Sequence, residues 1–293
     1  MKRRTFATLL AASGVSAALL APKNSWGKSG AATMTEALKQ LEIDAQGRLG
    51  VHILNTATGQ EFGHRSDEQF MMLSSFKLLA SALVLARVDR GEDSLDRRIP
   101  YRKQDLIAWS PITEAHADGK GLTLAQLCHA TITTSDNTAA NLILDSYGGP
   151  KALTAFARRI GDKVTRLDRR EPELNVPASP TMLDSTSPRA MAYSMKTLLT
   201  GQVLSVESRA LLKQWLLANT TGGRRLKAGL PAGWSIGDKT GTNKTDANDI
   251  GVLYPPEGAP VFVTAYLASS SASSQMKDET LAAVGKLAAT GSR

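Results

Sequence analysis

Ser74 and Lys77 stand three residues apart in FMMLSSFKLL (70–79), an apolar run broken by two hydroxyls and an ammonium group. On a helix, positions i and i+3 share a face, so hydroxyl and amine come within hydrogen-bonding reach. A lysine taken out of water loses pKa and can accept the serine proton, which makes a serine nucleophile without histidine. A serine at a helix N-terminus also meets the positive end of the helix dipole. The bland alternative is a helix start, with a serine cap and a lysine that snorkels to water. Spacing alone does not decide, because Ser-x-x-Lys recurs at Ser25–Lys28 and Ser274–Lys277. Two further triads occur once each: Ser135-Asp136-Asn137, just before a helical pattern, and Lys239-Thr240-Gly241, in a strand-like one.

The segments that must position these residues outline an α+β fold. TMTEALKQLEIDA reads as an amphipathic helix from near Thr33, and RLGVHILNTATGQEFGHR as two strands joined by a turn at Thr58-Gly59. From Ser74 to Arg90 apolar residues repeat near the helical period, with Gly91 as a stop. Helical patterns follow over 122–135, 137–149 and 151–162, then over 188–201 and 205–219. Between them RREPELNVPASPTMLD (169–184) holds Pro172, Pro177 and Pro180 and no period, which predicts a long loop. WSIGDKTGT, DANDIGVLYP and APVFVTAYLAS read as strands, and SQMKDETLAAVGKLAA as a last helix. Strands at both ends and helices between predict one antiparallel sheet built from both termini and flanked by helices, with an all-helical insertion domain beside it. The corresponding division is 31–68 with 218–293 as an α/β domain, and 69–217 as an all-α domain containing the 169–184 loop. A cleft between the two is the expected site.

With 293 residues, 42% hydrophobic and 21% charged, the chain has length for a substantial core and an ordinary globular composition. Residues 1–30 differ. Lys2, Arg3 and Arg4 precede an apolar, small-residue run from about Phe6 to Ala21, the form of a cleaved export signal rather than a membrane span. Adjacent Arg3 and Arg4 followed by Phe6 fit a twin-arginine signal, with an ordinary secretion signal as the alternative, so a periplasmic protein is expected. Without the five basic residues of 1–30, which has no acid, the formal charge falls from +8 to +3. Arg158, Arg159, Arg166, Arg169 and Arg170 lack interleaved aromatics and suit a solvated face, so no nucleic-acid partner is expected. Cys128 is the single cysteine, which excludes an intramolecular disulfide. His52, His64, His116 and His129 have no metal-ligand spacing, so neither metal nor cofactor is expected.

Ser74-x-x-Lys77, Ser135-Asp136-Asn137 and Lys239-Thr240-Gly241, in this order, form a signature shared by class A β-lactamases and penicillin-binding proteins. Together with Trp109-Ser110-Pro111, Glu171-Pro172-Glu173-Leu174-Asn175, Asn219-Thr220-Thr221-Gly222 and Asn248-Asp249, the chain resembles the class A serine β-lactamases over nearly all its length after residue 30. The resemblance implies that Ser74 attacks the β-lactam carbonyl, that Lys77 accepts or relays its proton, and that Ser135 passes a proton to the departing nitrogen. It implies that Asn137 binds the substrate's side-chain amide, and that Lys239 sets a positive charge near the substrate carboxylate. Thr240, Thr242 and Arg225 would bind that carboxylate, though Arg224 leaves the register of the arginine open. The oxyanion hole would be the backbone N–H groups of Ser74 and Thr242.

Glu171 discriminates. With Asn175 four residues on, its carboxylate would hold and deprotonate the water that releases the acyl group; whether Glu171 or Lys77 is also the acylation base stays open. The Glu171–Pro172 peptide should be cis, and Arg169 and Asp184 should anchor the loop by an ion pair. Trp109 would form an aromatic wall, against the alternative of ordinary packing. Where many members pair two cysteines, this chain has Cys128 opposite Ser81, so the thiol should be free and buried. The cysteine positions of several carbapenem-hydrolysing members are Leu73 and Asn243 here, which leaves that activity unsupported. The expectation is thus a monomeric enzyme that hydrolyses penicillins and cephalosporins. A D-Ala-D-Ala peptidase shares the three elements without a use for Glu171 and Asn175. A non-hydrolysing β-lactam sensor would need a membrane tether and a signalling domain.

Overall fold

The computed structural model describes residues 28–178 and 182–291. The expected export segment, with Arg3 and Arg4, lies outside the described residues up to residue 27. In chain order the elements are α1 (Lys28–Asp44), β1 (Arg48–Asn55), β2 (Glu61–His64), β3 (Phe70–Met71), α2 (Phe76–Asp89), β4 (Arg98–Ile99), β5 (Leu122–Thr123), α3 (Leu124–Thr133) and α4 (Asn137–Ser146). They continue with α5 (Gly149–Arg159), β6 (Ser185–Thr186), α6 (Pro188–Thr200), α7 (Val206–Leu217), β7 (Ser235–Thr242), β8 (Ala247–Tyr254), β9 (Val261–Ala268) and α8 (Ser274–Thr290). α1 begins five residues ahead of Thr33. The two-residue strands pair β3 with β6 and β4 with β5, and are too short to leave a period in the sequence.

Five strands form one antiparallel sheet in the order β2-β1-β9-β8-β7. β1 pairs with β9 along its whole length, from Arg48 opposite Ala268 to Asn55 opposite Val261, so the two ends of the chain meet in mid-sheet. Alternation sorts the side chains into two cores. Leu49, Val51, Ile53, Val263, Ala265 and Leu267 face α1 and α8, against Leu38, Leu281 and Val284. Leu54, Ile250, Val252, Phe262 and Tyr266 face the helices between the two strand regions. At the centre of those helices α2 is buried on every side from Phe76 to Ala86, the burial of a helix that is apolar all round. Gly91, at φ +71°, ends the turn after it where an L side chain would be strained. Among the described residues no helix is long and apolar enough to cross a membrane.

Candidate active site

The buried α2 carries the first two groups. Ser74 lies in a one-turn 3₁₀ segment, Leu73–Ser75, that leads into the helix, and Lys77 occupies its first turn. Lys77 is fully buried, so the snorkelling alternative is overturned: burial in α2 leaves its amine no route to water. Its Nζ donates to Ser74 Oγ at 2.8 Å, Ser135 O at 2.9 Å, Ser135 Oγ at 3.2 Å and Asn137 Oδ1 at 2.6 Å. It also lies 3.1 Å from Glu171 Oε1. Five acceptors compete for at most three protons. Burial lowers the Lys77 pKa, and the Glu171 carboxylate opposes that shift.

Ser135 and Asn137 are held by the start of α4. Asp136, fully buried, is its N-cap and accepts from Ala139 N at 2.8 Å. The same carboxylate accepts from Ile112 N, Thr113 N and Thr113 Oγ1, which ties the 109–113 segment to the helix. Asn137 N donates to Trp109 O, and Trp109 Nε1 to Thr134 O. The Trp109 ring is 66% exposed at the cleft, which overturns its reading as an ordinary packed residue. Leu73, Trp109 and Ser135 adopt positive φ without being glycine, so three residues beside the site are held in an uncommon conformation.

The edge strand β7 closes the other side. Lys239, fully buried, donates through Nζ to Ser135 Oγ at 3.1 Å and to Thr240 O at 2.8 Å. Burial, and then the charge of Lys77, hold its pKa well below the usual lysine range. Ser135 Oγ therefore receives hydrogen bonds from both lysines. Gly241 makes this approach possible: a Cβ there would lie 2.9 Å from Leu73 Cβ, 3.0 Å from Met72 O and 3.2 Å from Ser74 N. Asn248, on β8, donates to Met71 O and Met72 O and pins the same turn.

Glu171 comes from the 169–184 loop, which holds one 3₁₀ turn, Glu173–Asn175, among its described residues. Its Oε1 accepts from Ser74 Oγ at 3.2 Å and its Oε2 from Asn175 Nδ2 at 2.5 Å. The Glu171–Pro172 peptide is cis. Arg169 Nε donates to Asp184 Oδ2 at 2.6 Å, while Asp168 N and Arg169 N donate to Asp184 Oδ1. Other arginines of the 158–170 run are spent on neighbours, Arg166 on Asp168 and Arg170 on Asp145. Asn141 holds the backbone of Glu171 from both sides, its Nδ2 donating to Glu171 O and its Oδ1 accepting from Glu171 N. The sequence reading missed Asn141; its place one helical turn after Asn137, on the same face of α4, was the available signal.

The two arginines separate. Arg224 is exposed and paired with Asp278, whereas Arg225 is buried. Arg225 donates to Asp278, Gly241 O and Asn248 O, and through Nη2 to Thr242 Oγ1 at 2.8 Å. Asn219, Thr221 and Asp238 were also missed as functional candidates; they support Thr240 from behind. Cys128 is free and buried, and burial pushes its thiol up to about 12. In the repeated motif of α8, Lys277 Nζ donates to Lys244 O rather than to Ser274.

These groups surround a cleft of about 750 Å³ lined by Ser74, Trp109, Ser135, Asn137, Asn175, Thr221, Arg225, Thr240 and Thr242, with Lys77, Glu171 and Lys239 buried in its wall. A hydroxyl hydrogen-bonded to a buried amine and a carboxylate, beside a second cation, is the arrangement that activating a serine without histidine requires.

The profile of the Beta-lactamase enzyme family matches residues 33–290, so the chain belongs to that family. It is 46% identical to β-lactamase L2 of Stenotrophomonas maltophilia over 271 residues, 89% of each chain. It is 41% identical to β-lactamase OXY-1 of Klebsiella oxytoca over 285 residues, 97% of each. Its fold matches a solved ancestral class A β-lactamase with a TM-score of 0.86 at 54% identity, covering 88% of this chain and 99% of that one. A putative class A β-lactamase, PenP of Rhodopseudomonas palustris, matches with a TM-score of 0.86 at 52% identity, over 88% and 99%.

Proposed function

We propose that this class A β-lactamase hydrolyses the β-lactam amide of penicillins and cephalosporins through an acyl-enzyme on Ser74. The observation that carries the reading is the pair of contacts made by Ser74 Oγ, 2.8 Å from Lys77 Nζ and 3.2 Å from Glu171 Oε1. Ser74 Oγ attacks the lactam carbonyl and loses its proton to one of these two groups. The backbone N–H groups of Ser74 and Thr242 receive the oxyanion. Ser135, which accepts from Lys77 and Lys239, keeps its own proton for the departing nitrogen.

Release follows from Glu171. Its carboxylate, steadied by Asn175 and Asn141, takes a proton from the water that attacks the ester. Lys239, Thr240, Thr242 and Arg225 bind the substrate carboxylate, Asn137 its side-chain amide and Trp109 its body. The all-α part, 69–217, supplies one wall and the α/β part the other. Residues 1–30 support export to the periplasm, by the twin-arginine route, and the mature chain acts as a monomer.

Nitrocefin hydrolysis by the purified protein, abolished in Ser74→Ala, is the expected result; a wild type without turnover would end the reading. The lifetime of a penicilloyl adduct distinguishes the hydrolase, at seconds or less, from a peptidase or sensor that stays acylated.

A further inference from the structure

A second cavity, of about 410 Å³, shares no residue with the catalytic cleft and lies between the end of α2 and α5. Three arginines line it: Arg87 from the last turn of α2, Arg90 just after that helix, and Arg159 at the end of α5. Tyr147, which follows the last residue of α4, lines it too, and Leu83 and Ala152 give it an apolar wall. An arginine at a helix C-terminus answers the negative end of the dipole, which is reason enough for one solvated guanidinium there. It does not account for three of them lining one cavity.

The neighbouring acids do not use up these donors. Glu92 takes Arg90 on both oxygens, at 2.6 and 3.0 Å, and lies 3.2 Å from Arg87 Nη1. Asp93 accepts from both Nε and Nη2 of Arg97 and stays 3.7 Å from Arg87 Nε, beyond hydrogen-bond reach. Asp89 accepts from Ser205 and Ser208 instead. Arg159 has no carboxylate partner among the described residues, and its guanidinium lies 5.7 Å from the Phe156 ring. Two buried donors remain unmatched, since Arg87 Nε and the Tyr147 hydroxyl make no hydrogen bond among the described residues. Burial holds the Tyr147 pKa well above its usual range, so the hydroxyl keeps its proton and can donate it. Buried donors left unpaired are costly, and an acceptor in the cavity would relieve both.

We propose that this cavity is a binding site for a phosphate group, free or carried as a monoester on a small molecule. A tetrahedral oxyanion offers acceptors in several directions, which suits guanidinium groups arriving from α2, from the segment after it and from α5. The cavity is larger than a phosphate alone, so Leu83 and Ala152 can meet the carbon part of an ester. The bound anion joins the ends of α2, α4 and α5. Lys77 lies in the first turn of α2 and Asn137 begins α4, so the site braces two helices that carry catalytic groups without itself touching the substrate.

Isothermal titration calorimetry of the purified protein with sodium phosphate, at neutral pH and with ionic strength held by sodium chloride, tests the site. Binding should saturate with a Kd of about 1 mM or tighter, which two or three charge-assisted bonds supply. Glycerol 3-phosphate is titrated separately: tighter binding than inorganic phosphate identifies an ester as the ligand, equal or weaker binding the free ion, and either supports the site. Arg159→Gln, at an exposed position, should weaken Kd about tenfold or more, and Tyr147→Phe, which removes one oxygen, about three- to tenfold. Lys151→Gln removes a cation of α5 that does not line this cavity and should leave Kd unchanged. No saturation by about 10 mM phosphate would overturn the proposal. So would binding left intact by either Arg159→Gln or Tyr147→Phe, which would put the anion in the catalytic cleft or on the general positive surface. Equal losses in Lys151→Gln and Arg159→Gln would overturn it as well, by showing attraction to charge without a site. Thermal melts check that each variant folds, and should Tyr147→Phe fail, Arg90→Gln is read in its place with the tenfold loss expected of a cation. The outcome does not depend on whether the protein hydrolyses β-lactams.

Discussion

Glu171 shares its two oxygens between different tasks: Oε1 faces Ser74 and Lys77, and Oε2 is tied to Asn175. A carboxylate so fixed can orient a water without leaving the nucleophile's reach. Glu171→Ala should therefore slow deacylation about 10²- to 10⁴-fold while Ser74 still acylates, the range expected for loss of a general base. Mass spectrometry would then find the protein heavier by one penicillin, and fast continued turnover would refute the role. Lys77 and Lys239 converge on Ser135 Oγ, and the first cause of both lowered pKa values is burial. Burial thus supplies a neutral amine at lower pH than an exposed lysine would.

The contact between β7 and the Ser74 turn depends on a missing side chain. Gly241→Ala would push the strand off Leu73 and Ser74 by a few tenths of an ångström, separating Thr242 N from Ser74 N. A fall of at least about tenfold in kcat/KM is expected, with a stability loss of about 1–3 kcal/mol from overpacking. Steady-state rates and thermal melts check both; unchanged rates would show that the close approach is dispensable. The 169–184 loop depends on Asp184, fully buried and accepting from Asp168 N, Arg169 N and Arg169 Nε. Removing that carboxylate leaves three donors unmet, so Asp184→Ala should cost about 2–4 kcal/mol in urea unfolding and lower kcat by loosening Glu171.

Across the whole molecule the sheet buries a second pair of charges. Asp238 on β7 and Asp249 on β8 are buried on adjacent strands; burial raises Asp238 from 3.8 to about 6 and, with the charge of Asp238 adding to it, drives Asp249 well above the ordinary range. The folded state therefore holds a proton that the unfolded chain releases. This contribution to stability is complete below pH 3.8 and is lost as pH rises through about 6. Asp238→Asn carries no such charge and should be about 2–3 kcal/mol more stable than wild type at pH 8, with the gain fading towards pH 4. Thermal melts at both pH values read this directly, and a pH-independent difference would show that the pair holds no proton.

Periods, caps and breakers in the sequence were enough for the antiparallel sheet from both termini, the buried helix after Ser74 and the irregular 169–184 loop, because each leaves a signal within a dozen residues. The residues at 74, 77, 135, 171 and 239 were legible only together, through the resemblance to the class A β-lactamases, because Ser-x-x-Lys by itself recurs at Ser25–Lys28 and Ser274–Lys277. Asn141 was not legible, and Arg225 could be named only with its register against Arg224 left open, since each is decided by what lies opposite in space. Residue types and local periods were thus determined by the sequence alone. Tertiary structure alone decided that Lys77 and Lys239 lose water together against Ser135: desolvation is set by every element packed around a group, and no local spacing carries it.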